Sequence, residues 1–441
     1  MNLVSIITVN YNGKRTLGNF LNSIRELNYP KEKLQTILVD NNSTDDSVGF
    51  VTKNFPEVMV IRAKENLGFS KGNNLGIKKS EGDLIFLVNN DTALEKNSLR
   101  DLVSCYQRGS GKEKIGAVCP KILLFDYYLH FILRGAAFYS SFIKEGSSPF
   151  NNMPFVFRNE DSARYEENFF LPLDHNLNEP RVKISILVKR AGGSKIELVL
   201  GTKRIVKAFK LNDDLQKVIL NLTKYEILKL KVDLIQNAGN FIFSDGYGRD
   251  RGAEIIDNKQ FYEADRGQYN NEESVPSFCG AGVVLNKEAL KDVGLFDEKF
   301  FMYYEDDDLS LRMKKKGWEI VYCPKAIIRH IHSASSKEWS PFFVFNVERN
   351  RLLLVAKHWP RTEALKEFIK FLLIDTIGVF FYSAFKIKKS QNLIEDPRKR
   401  YIKKFGIRIK IIFSLILPFL VSMVFGRKFS HQKIQDFWKT K

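Results

Sequence analysis

Val4-Ser5-Ile6-Ile7-Thr8-Val9, close to the N-terminus, leads directly into Asn10-Tyr11-Asn12-Gly13. The first six residues are mostly apolar or β-branched and predict a buried strand, and the Asn and Gly residues that follow are typical of a turn. The same order of buried strand and polar turn recurs twice: Leu34–Val39 is followed by Asp40–Asp45, and Leu84–Val88 by Asn89–Thr92.

Segments with a helical spacing of apolar residues separate these strands. They are predicted at Arg15–Leu27, Asp46–Asn54 and Ser70–Lys79, with one more strand at Val58–Arg62. Repeated β-α-β units with near-continuous apolar strands are typical of an α/β fold with a doubly wound, mainly parallel sheet. Because ligands bind beyond the carboxyl ends of such strands, we expect the three polar turns to lie on one rim.

The pattern changes at about Phe125. Residues 140–180 are loop-like, and after them come five short strands with turns between them, predicted at 182–189, 195–200, 204–211, 218–222 and 228–235. We therefore predict a small β-sandwich inserted at 125–235 into a catalytic domain formed by 1–124 and 236–360. A helical tail is predicted at 361–441, with two apolar segments on either side of a basic stretch.

The composition limits the functional classes. A chain of 441 residues predicts two to three domains, and 44% hydrophobic residues exclude a wholly disordered protein. The net charge of +18 favours anionic partners, which are nucleic acid, acidic lipid headgroups or phosphorylated substrates. Four widely spaced cysteines without zinc-site spacing predict free thiols and a cytosolic catalytic part. We expect no signal peptide, because Met1 is followed almost at once by a strand.

Acidic residues occur at two positions where chemistry is expected. Asp91 follows the strand Leu84–Val88, where a carboxylate suits a divalent cation on a diphosphate, although Asn-Asn-Asp is also a common turn. The run Glu305-Asp306-Asp307-Asp308 precedes a helical pattern. It is either a general base at the mouth of the sheet or the ordinary acidic start of a helix.

Basic residues near the end of the catalytic part are the other candidates. His330 and His332 follow strand-like segments, and one of them could be a metal ligand, the alternative being a structural or surface side chain. Because residues two apart in a strand lie on the same face, the pattern does not indicate which of the two histidines it would be. Arg349 suits a diphosphate grip or a solvated helix end.

Taken together, these blocks resemble the family 2 glycosyltransferases, most closely the bacterial rhamnosyltransferase-like and galactofuranosyltransferase-like enzymes. The resemblance covers about 3–124 and 236–360 and is carried by Ile6–Asn12, Val39–Asp45, Asn66–Phe69, Gly72–Gly76, Val88–Asp91 and Tyr304–Leu309. It implies a GT-A fold and transfer of a sugar, with inversion, from a nucleotide-diphosphate donor.

The resemblance also implies roles for single residues. Asp40 falls on the acid that binds the nucleotide base, and Asp91 on the last acid of the metal motif, whose first position is Asn89 here. Asp91 and His330 would hold one Mg²⁺ or Mn²⁺. Asp306, with Glu305 beside it, would be the base that deprotonates the acceptor. The remaining donor-pocket residues are Thr8, Asn10, Asn12, Asn66, Asn74, Asn90 and Arg349.

The implied partners are a nucleotide-sugar donor, a glycan or lipid-linked saccharide acceptor and a membrane surface, in cell-surface polysaccharide synthesis. Nucleic acid is not expected, because the basic excess is concentrated in the tail. An oxidoreductase is disfavoured, because the first strand is not followed by Gly-x-Gly-x-x-Gly. A non-catalytic carbohydrate-binding protein is the alternative.

The tail predicts where the protein acts. Ile411–Gly426 is an uncharged run of 16 residues, which as a helix is about 24 Å long, against about 30 Å for a hydrocarbon core. The preceding stretch Lys386–Lys410 has a net charge of +8. We interpret the tail as a peripheral or partly inserted anchor on the cytoplasmic face of the cell membrane. The alternative is a pair of buried helices.

Overall fold

The computed structural model describes residues 1–109, 114–143, 155–158, 166–173, 180–191, 195–208, 215–256, 259–331, 340–378, 397–425 and 438–439. The chain divides into two compact units. The first consists of 1–122, 237–252 and 269–441, and the second of 123–236 and 253–268. The second unit thus takes in residues 253–268, which the sequence assigns to the catalytic part.

The helices and strands have the following bounds. The helices are α1 Lys14–Arg25, α2 Ser47–Asn54, α3 Gly68–Lys78, α4 Ser98–Gly109, α5 Lys224–Leu230, α6 Lys287–Val293, α7 Glu305–Lys315, α8 Pro341–His358, α9 Arg361–Lys370 and α10 Pro397–Phe425, with a 3₁₀ turn at Lys31–Lys33 and a π-helical segment at Phe371–Gly378. The strands are β1 Val4–Asn10, β2 Leu34–Asp40, β3 Met59–Arg62, β4 Leu84–Val88, β5 Thr92–Leu94, β6 Ile115–Leu124, β7 Tyr127–Arg134, β8 Ala136–Ile143, β9 Phe155–Arg158, β10 Glu166–Leu173, β11 Arg181–Arg190, β12 Lys195–Leu200, β13 Lys203–Ala208, β14 Leu215–Thr223, β15 Lys231–Val232, β16 Leu234–Asn237, β17 Asn240–Phe243, β18 Gly248–Asp250, β19 Ala253–Ile256, β20 Lys259–Ala264, β21 Glu273–Ser274, β22 Gly282–Asn286, β23 Glu319–His330 and β24 Trp438–Lys439.

The first unit is built on a mixed sheet in the order β6-β22-β4-β1-β2-β3. Strands β4, β1, β2 and β3 are parallel to one another, as the sequence predicts, and the register sets Asn10 beside Asp40. Strand β22 is antiparallel to both β4 and β6. The sequence could not distinguish this direction, because a fully buried strand has the same apolar pattern in either orientation.

Helix packing covers this sheet and fixes where its strands end. Leu17, Phe20 and Leu21 of α1 are fully or almost fully buried in one cluster with Val4 and Ile6 of β1. Their spacing of three and four residues puts them on one helix face. The polar turns after β1, β2 and β4 therefore lie at the edge of the sheet, whereas the strand residues before them are mostly buried.

The second unit contains a β-sandwich. One sheet has the order β13-β12-β7-β10-β9, with β15 on β7, and the other has the order β14-β11-β8. Both are antiparallel, and the residues between them are apolar. Phe131 and Phe169, for example, are stacked with their ring centroids 4.9 Å apart.

Two details of the predicted insert are wrong. The segment 228–235 is not one strand, because helix α5 runs to Leu230 and the short strands β15 and β16 follow. The helix begins with a capping box in which Thr223 and Glu226 bond to each other's backbone N–H groups. The stretch 140–180 is not loop throughout, because β9, β10 and part of β8 lie in it. Phe169, Phe170 and Leu171 of β10 form a short buried apolar run there.

Candidate active site

Asn10 joins the ends of three strands. Its Nδ2 donates to Asp40 Oδ1 and to Ser43 Oγ, each at 3.0 Å, and its Oδ1 accepts from Asn90 Nδ2 at 2.7 Å. Gly13 permits the Asn90 contact, because a Cβ at this position would lie 2.2 Å from Asn90 Nδ2. Three of the predicted donor residues are thus in one buried hydrogen-bond network.

The turn after β1 is bonded to the turn after β2. Asn12, with φ of 54°, accepts from the Thr44 backbone N–H at 2.7 Å through its Oδ1, and its own N–H donates to Ser43 Oγ at 2.9 Å. Asp40 Oδ2 accepts from the Ser43 N–H at 3.1 Å. These bonds fix the direction of the Asp40 carboxylate.

Three other predicted donor residues have different surroundings. Thr8 is buried in β1 and its Oγ1 has no hydrogen-bond partner among the described residues. Asn66 Oδ1 accepts from the Gly68 N–H at 3.0 Å, at the start of α3. Asn74 does not join the strand-end network, because its amide bonds both backbone groups of Phe296, at 2.9 and 3.1 Å. It anchors the loop that leads to α7.

Asp91 and His330 come together from distant parts of the chain. His330 ends β23, pairs with Thr92 of β5, and lies with its Nε2 3.1 Å from Asp91 Oδ1. Both side chains are buried, and Asp91 Oδ1 accepts no hydrogen bond from the residues that the structure describes. Two neighbouring ligands at about 2.1 Å from one octahedral ion are about 3 Å apart, so this pair fits a shared divalent cation. His332 lies outside the described residues.

The acidic run begins helix α7 after a strained turn. Tyr303 and Tyr304 both have positive φ, 72° and 71°, a region that such residues rarely occupy. Asn350 of α8 holds this turn, because its Nδ2 donates to the carbonyl oxygens of Met302 and Tyr303, each at 2.9 Å. Strain of this kind costs on the order of 1–3 kcal/mol per residue and often accompanies function.

The four acids have different environments. Asp308 is fully buried and paired with Arg312, Lys357 and His358. Burial alone would raise its pKa, but the charges of Lys357 and Arg312, with the hydrogen bond to His358, hold the pKa well below the ordinary value of 3.8. Asp307 is buried and accepts from Ser277 Oγ at 2.6 Å. Neither of these carboxylates is available to a substrate.

Glu305 and Asp306 remain as candidates for the base. Asp306 is only partly buried, and its Oδ2 accepts from the Gly280 N–H at 3.0 Å. Burial raises its pKa above the ordinary value, against the hydrogen bonds from Gly280 and Asp307. Glu305 is buried, and within the described part of the chain its Oε2 has no hydrogen-bond partner; burial together with the Asp306 charge raises its pKa strongly. A carboxyl group with a raised pKa is the more effective proton acceptor near neutral pH.

A short peptide links the acid to the turn that carries Asp91. The Gly280 N–H bonds Asp306, and the carbonyl of the next residue, Ala281, accepts from the Asn89 N–H at 3.1 Å. Asp91 in turn accepts through its carbonyl from the Ile331 N–H at 3.0 Å. Hydrogen bonds thus connect Asp306, the Asp91–His330 pair and the ends of the strands.

Arg349 lies beside this arrangement and is partly buried. Its Nη1 donates to the Lys299 carbonyl at 2.9 Å and to Asn350 Oδ1 at 2.7 Å. Sequence reasoning missed Gly280 and Asn350 as positioning residues. The only signals were the Cys-Gly-Ala-Gly peptide before β22 and the asparagine between two arginines.

Two glycosyltransferase family models match this chain. Residues 5–112 match the family model "Glycosyl transferase family 2", and residues 217–349 match "Glycosyltransferase like family 2". The second match begins inside the predicted insert, so the family likeness extends further than the sequence blocks indicate.

Curated relatives match this chain over short lengths. The poly(ribitol-phosphate) beta-N-acetylglucosaminyltransferase TarS of Staphylococcus aureus is 30% identical over 100 residues, which are 22% of this chain and 18% of the relative. The N-acetylglucosaminyl-diphospho-decaprenol L-rhamnosyltransferase of Mycobacterium tuberculosis is 41% identical over 71 residues, 16% of this chain and 23% of the relative. The matches thus span about a fifth of the length of these relatives.

Among solved structures, that of S. aureus TarS 1–349 aligns over 93% of this chain and 80% of its own, with 14% identity and a TM-score of 0.40. The two family matches together take in more than half of the 441 residues and contain Asp40, Asp91, Asp306 and His330. The chain therefore belongs to the family 2 glycosyltransferases.

Proposed function

We propose that the protein is an inverting glycosyltransferase that moves a sugar from a nucleotide-diphosphate donor to a saccharide acceptor. The observation that carries this proposal is the peptide Gly280-Ala281, which bonds both the Asp306 carboxylate and the turn of Asp91. A general base and a site for the leaving diphosphate must be neighbours in a single displacement. Such a displacement needs no enzyme nucleophile.

The strand-end network would bind the donor. Asp40, oriented by Asn10 and Ser43, would accept hydrogen bonds from the nucleotide base. Asn12, Asn66 and Asn90, together with Thr8, would line the same pocket. Asn74 would act indirectly, by holding the loop before α7 through the backbone of Phe296.

Asp91 and His330 would hold one Mg²⁺ or Mn²⁺. Oxygen ligands favour such hard ions, and one imidazole shifts the preference towards Mn²⁺. When bound, the ion would neutralise the negative charge that develops on the leaving nucleoside diphosphate. Arg349, whose guanidinium is anchored through Nη1, would add a fixed positive charge for the same diphosphate.

Asp306 would take the proton from the acceptor hydroxyl. It is the least buried of the four acids, and the Gly280 N–H holds its carboxylate in one orientation. Glu305 would assist Asp306, because two neighbouring carboxylates repel each other and the pair therefore binds one proton more readily. Because the pKa of Asp306 is raised, activity should fall on acidification at a higher pH than for an ordinary aspartate.

The acceptor would be a lipid-linked saccharide, met at the cytoplasmic face of the cell membrane. The relatives named above support this class, since their names specify a polymer and a diphospho-decaprenol acceptor. The product would enter cell-surface polysaccharide synthesis. The second unit would bind the acceptor glycan or a partner protein.

A donor screen tests the proposal. The full chain is incubated with uridine- and thymidine-diphosphate sugars, lipid-linked saccharides and Mn²⁺, and the product is identified by mass spectrometry and its anomeric configuration by NMR. Asp306→Asn should lower transfer by about 100- to 10,000-fold while donor affinity is retained. The matched control is Asp292→Asn, which removes an exposed carboxylate paired with Lys316.

Two results would contradict the proposal. Consumption of no donor would favour a non-catalytic carbohydrate-binding protein, and a product with retained configuration would exclude a single displacement. Wild-type kinetics of the Asp306→Asn enzyme would move the base to Glu305.

A further inference from the structure

Helix α10 has an exposed apolar face. Phe413, Ile416, Leu417, Leu420, Val421 and Val424 are exposed, and they follow each other at intervals of three, one, three, one and three residues. This spacing puts them on one side of the helix. Phe413 and Leu417 keep 73% and 70% of their surface open to solvent. Soluble proteins rarely leave such a continuous apolar surface uncovered.

The opposite face of α10 is packed inside the protein. Ile411, Leu415 and Phe419 are buried in one cluster with Leu352–Ala356 of α8. Helix α8 ends at His358, whose Nε2 lies 2.8 Å from Asp308 Oδ1 in the buried ion-pair network. This side of α10 therefore contacts the part of the first unit that supports helix α7.

Helix α9 adjoins α10 and extends the apolar surface. Phe368 and Phe419 have ring centroids 4.5 Å apart, and Arg361 donates to the carbonyl oxygens of Met423 and Val424 at 3.0 and 3.1 Å. Exposed apolar side chains continue on α9 and the π-helical segment, at Leu365, Ile369, Leu373 and Ile374.

The charge of α10 complements an anionic surface. Residues 397–410 contain seven Lys or Arg and no Asp or Glu. Basic residues beside an apolar helix face are attracted to anionic lipid headgroups, while the apolar side chains enter the boundary between headgroups and acyl chains.

We propose that α10 lies in the plane of an anionic lipid bilayer, with its exposed face in the lipid and its other face on α8, and does not cross the bilayer. Within the described residues, Phe405–Val424 is the one segment long and apolar enough to cross, with a mean hydropathy of 2.1. A crossing helix would, however, carry α8 and its buried charges into the hydrocarbon, where charges are costly. This proposal specifies how the protein would bind the membrane named in the proposed function. It rests on the proposed function only for the orientation of the catalytic unit.

Vesicle binding tests the surface. The full chain is sedimented with vesicles of phosphatidylcholine alone or with phosphatidylglycerol. The triple variant Phe413→Ser, Leu417→Ser, Leu420→Ser should lose about 100-fold or more in partitioning to the anionic vesicles, because each buried apolar side chain contributes about tenfold or more. The matched control changes three exposed apolar residues of the second unit, Leu215→Ser, Tyr225→Ser and Leu228→Ser. Equal binding of all three proteins, or no binding by the unchanged chain, would overturn the proposal.

Label depth separates an in-plane helix from a crossing one. Phe413→Cys and Val424→Cys are labelled with an environment-sensitive fluorophore and quenched by spin-labelled lipids; the unchanged chain serves as the labelling control. The two positions are 11 residues apart, about 16 Å along a helix. An in-plane helix predicts similar depths. A depth difference approaching 16 Å would establish a crossing helix and overturn the proposal.

The same variants keep this proposal distinct from the catalytic one. The triple variant should transfer sugar to a detergent-solubilised acceptor at the wild-type rate, because none of its residues is placed in the active site. If the unchanged chain binds vesicles but consumes no donor, the membrane proposal stands and the catalytic proposal fails.

Discussion

At the residue scale, neighbouring acids in the sequence differ because of what each side chain contacts. Asp306 is partly buried and bonded to the Gly280 N–H, whereas Asp308, two residues later, is fully buried among three cationic or basic groups. The contrast follows from helix geometry, since residues two apart face different directions. Asp306 and Asp308 should therefore respond differently to the same substitution.

Asp308→Asn is expected to lower the free energy of unfolding by about 3–5 kcal/mol, because it leaves buried cations without their counter-charge. Asp306→Asn should not destabilise the protein. Burial raises the pKa of Asp306, so the charged carboxylate that this change removes is disfavoured in the folded state. Urea unfolding at pH 7 measures both. Similar losses in the free energy of unfolding for the two variants would show that the ion pairs of Asp308 do not contribute more to stability than the contacts of Asp306.

The same network predicts acid sensitivity. Burial lowers the pKa of His358 from 6.5 to about 3, although its bond to Asp308 opposes the shift. The unfolded chain therefore binds a proton below pH 6.5 that the folded chain does not bind, so the contribution of His358 to stability should fall as the pH drops from 6.5. The contribution of Asp308, with its lowered pKa, should fall below pH 3.8. A His358→Gln variant whose unfolding midpoint changes between pH 7 and 4 just as that of the unchanged chain does would contradict this expectation.

The Asp91–His330 pair gives a third prediction at this scale. Asp91→Asn and His330→Asn should each weaken Mn²⁺ binding in the presence of nucleoside diphosphate by about tenfold or more, because each removes one ligand of the pair. Electron paramagnetic resonance of Mn²⁺ measures the bound fraction, with Asp292→Asn as the control. Full transfer activity in excess EDTA would exclude a divalent cation at this site.

At the element scale, the turns after the strands depend on close backbone approach. Gly13→Ala would set a Cβ 2.2 Å from Asn90 Nδ2 and 2.5 Å from Asn10 Oδ1. We expect the Asn10–Asn90 bond to break and nucleotide affinity to fall by about tenfold, because one lost buried hydrogen bond amounts to about 1–2 kcal/mol. Calorimetric titration measures the affinity. Gly406→Ala is the control, since among the described residues its added Cβ would have no atom within 4 Å beyond its chain neighbours and the nearby backbone of its own helix. Wild-type affinity in both variants would contradict a role of the network in nucleotide binding.

At the scale of the whole molecule, the second unit can be shortened at a defined place. Strands β15 and β7 pair Val232 with Tyr128, so these two residues lie side by side. Replacing residues 129–231 by a short turn removes every buried residue of the sandwich core, because these residues, from Leu129 to Ile227, all lie within this span.

The shortened chain should fold and bind the donor nucleotide with unchanged affinity, because the strand-end network lies wholly in the first unit. If the second unit binds the acceptor, transfer should be lost while donor binding remains. Circular dichroism and nucleotide titration provide the two measurements. An insoluble or unfolded chain would show that the sandwich is needed to complete the catalytic core.

The sequence by itself determined the α/β class, the parallel strands, the polar turns at their ends and the family, because strand and turn signals are local and the family's blocks are contiguous. It also located the β-sandwich, although it missed the capping box at Thr223 and the strand around Phe169. Which of the acids stays only partly buried was not decided locally. The environments of the acids depend on Lys357, Ser277 and Gly280, which are 26 to 49 residues from the acids they contact. The approach of His330 to Asp91 and the packing of one face of α10 on α8 are likewise tertiary, because each needs elements from distant parts of the chain to meet.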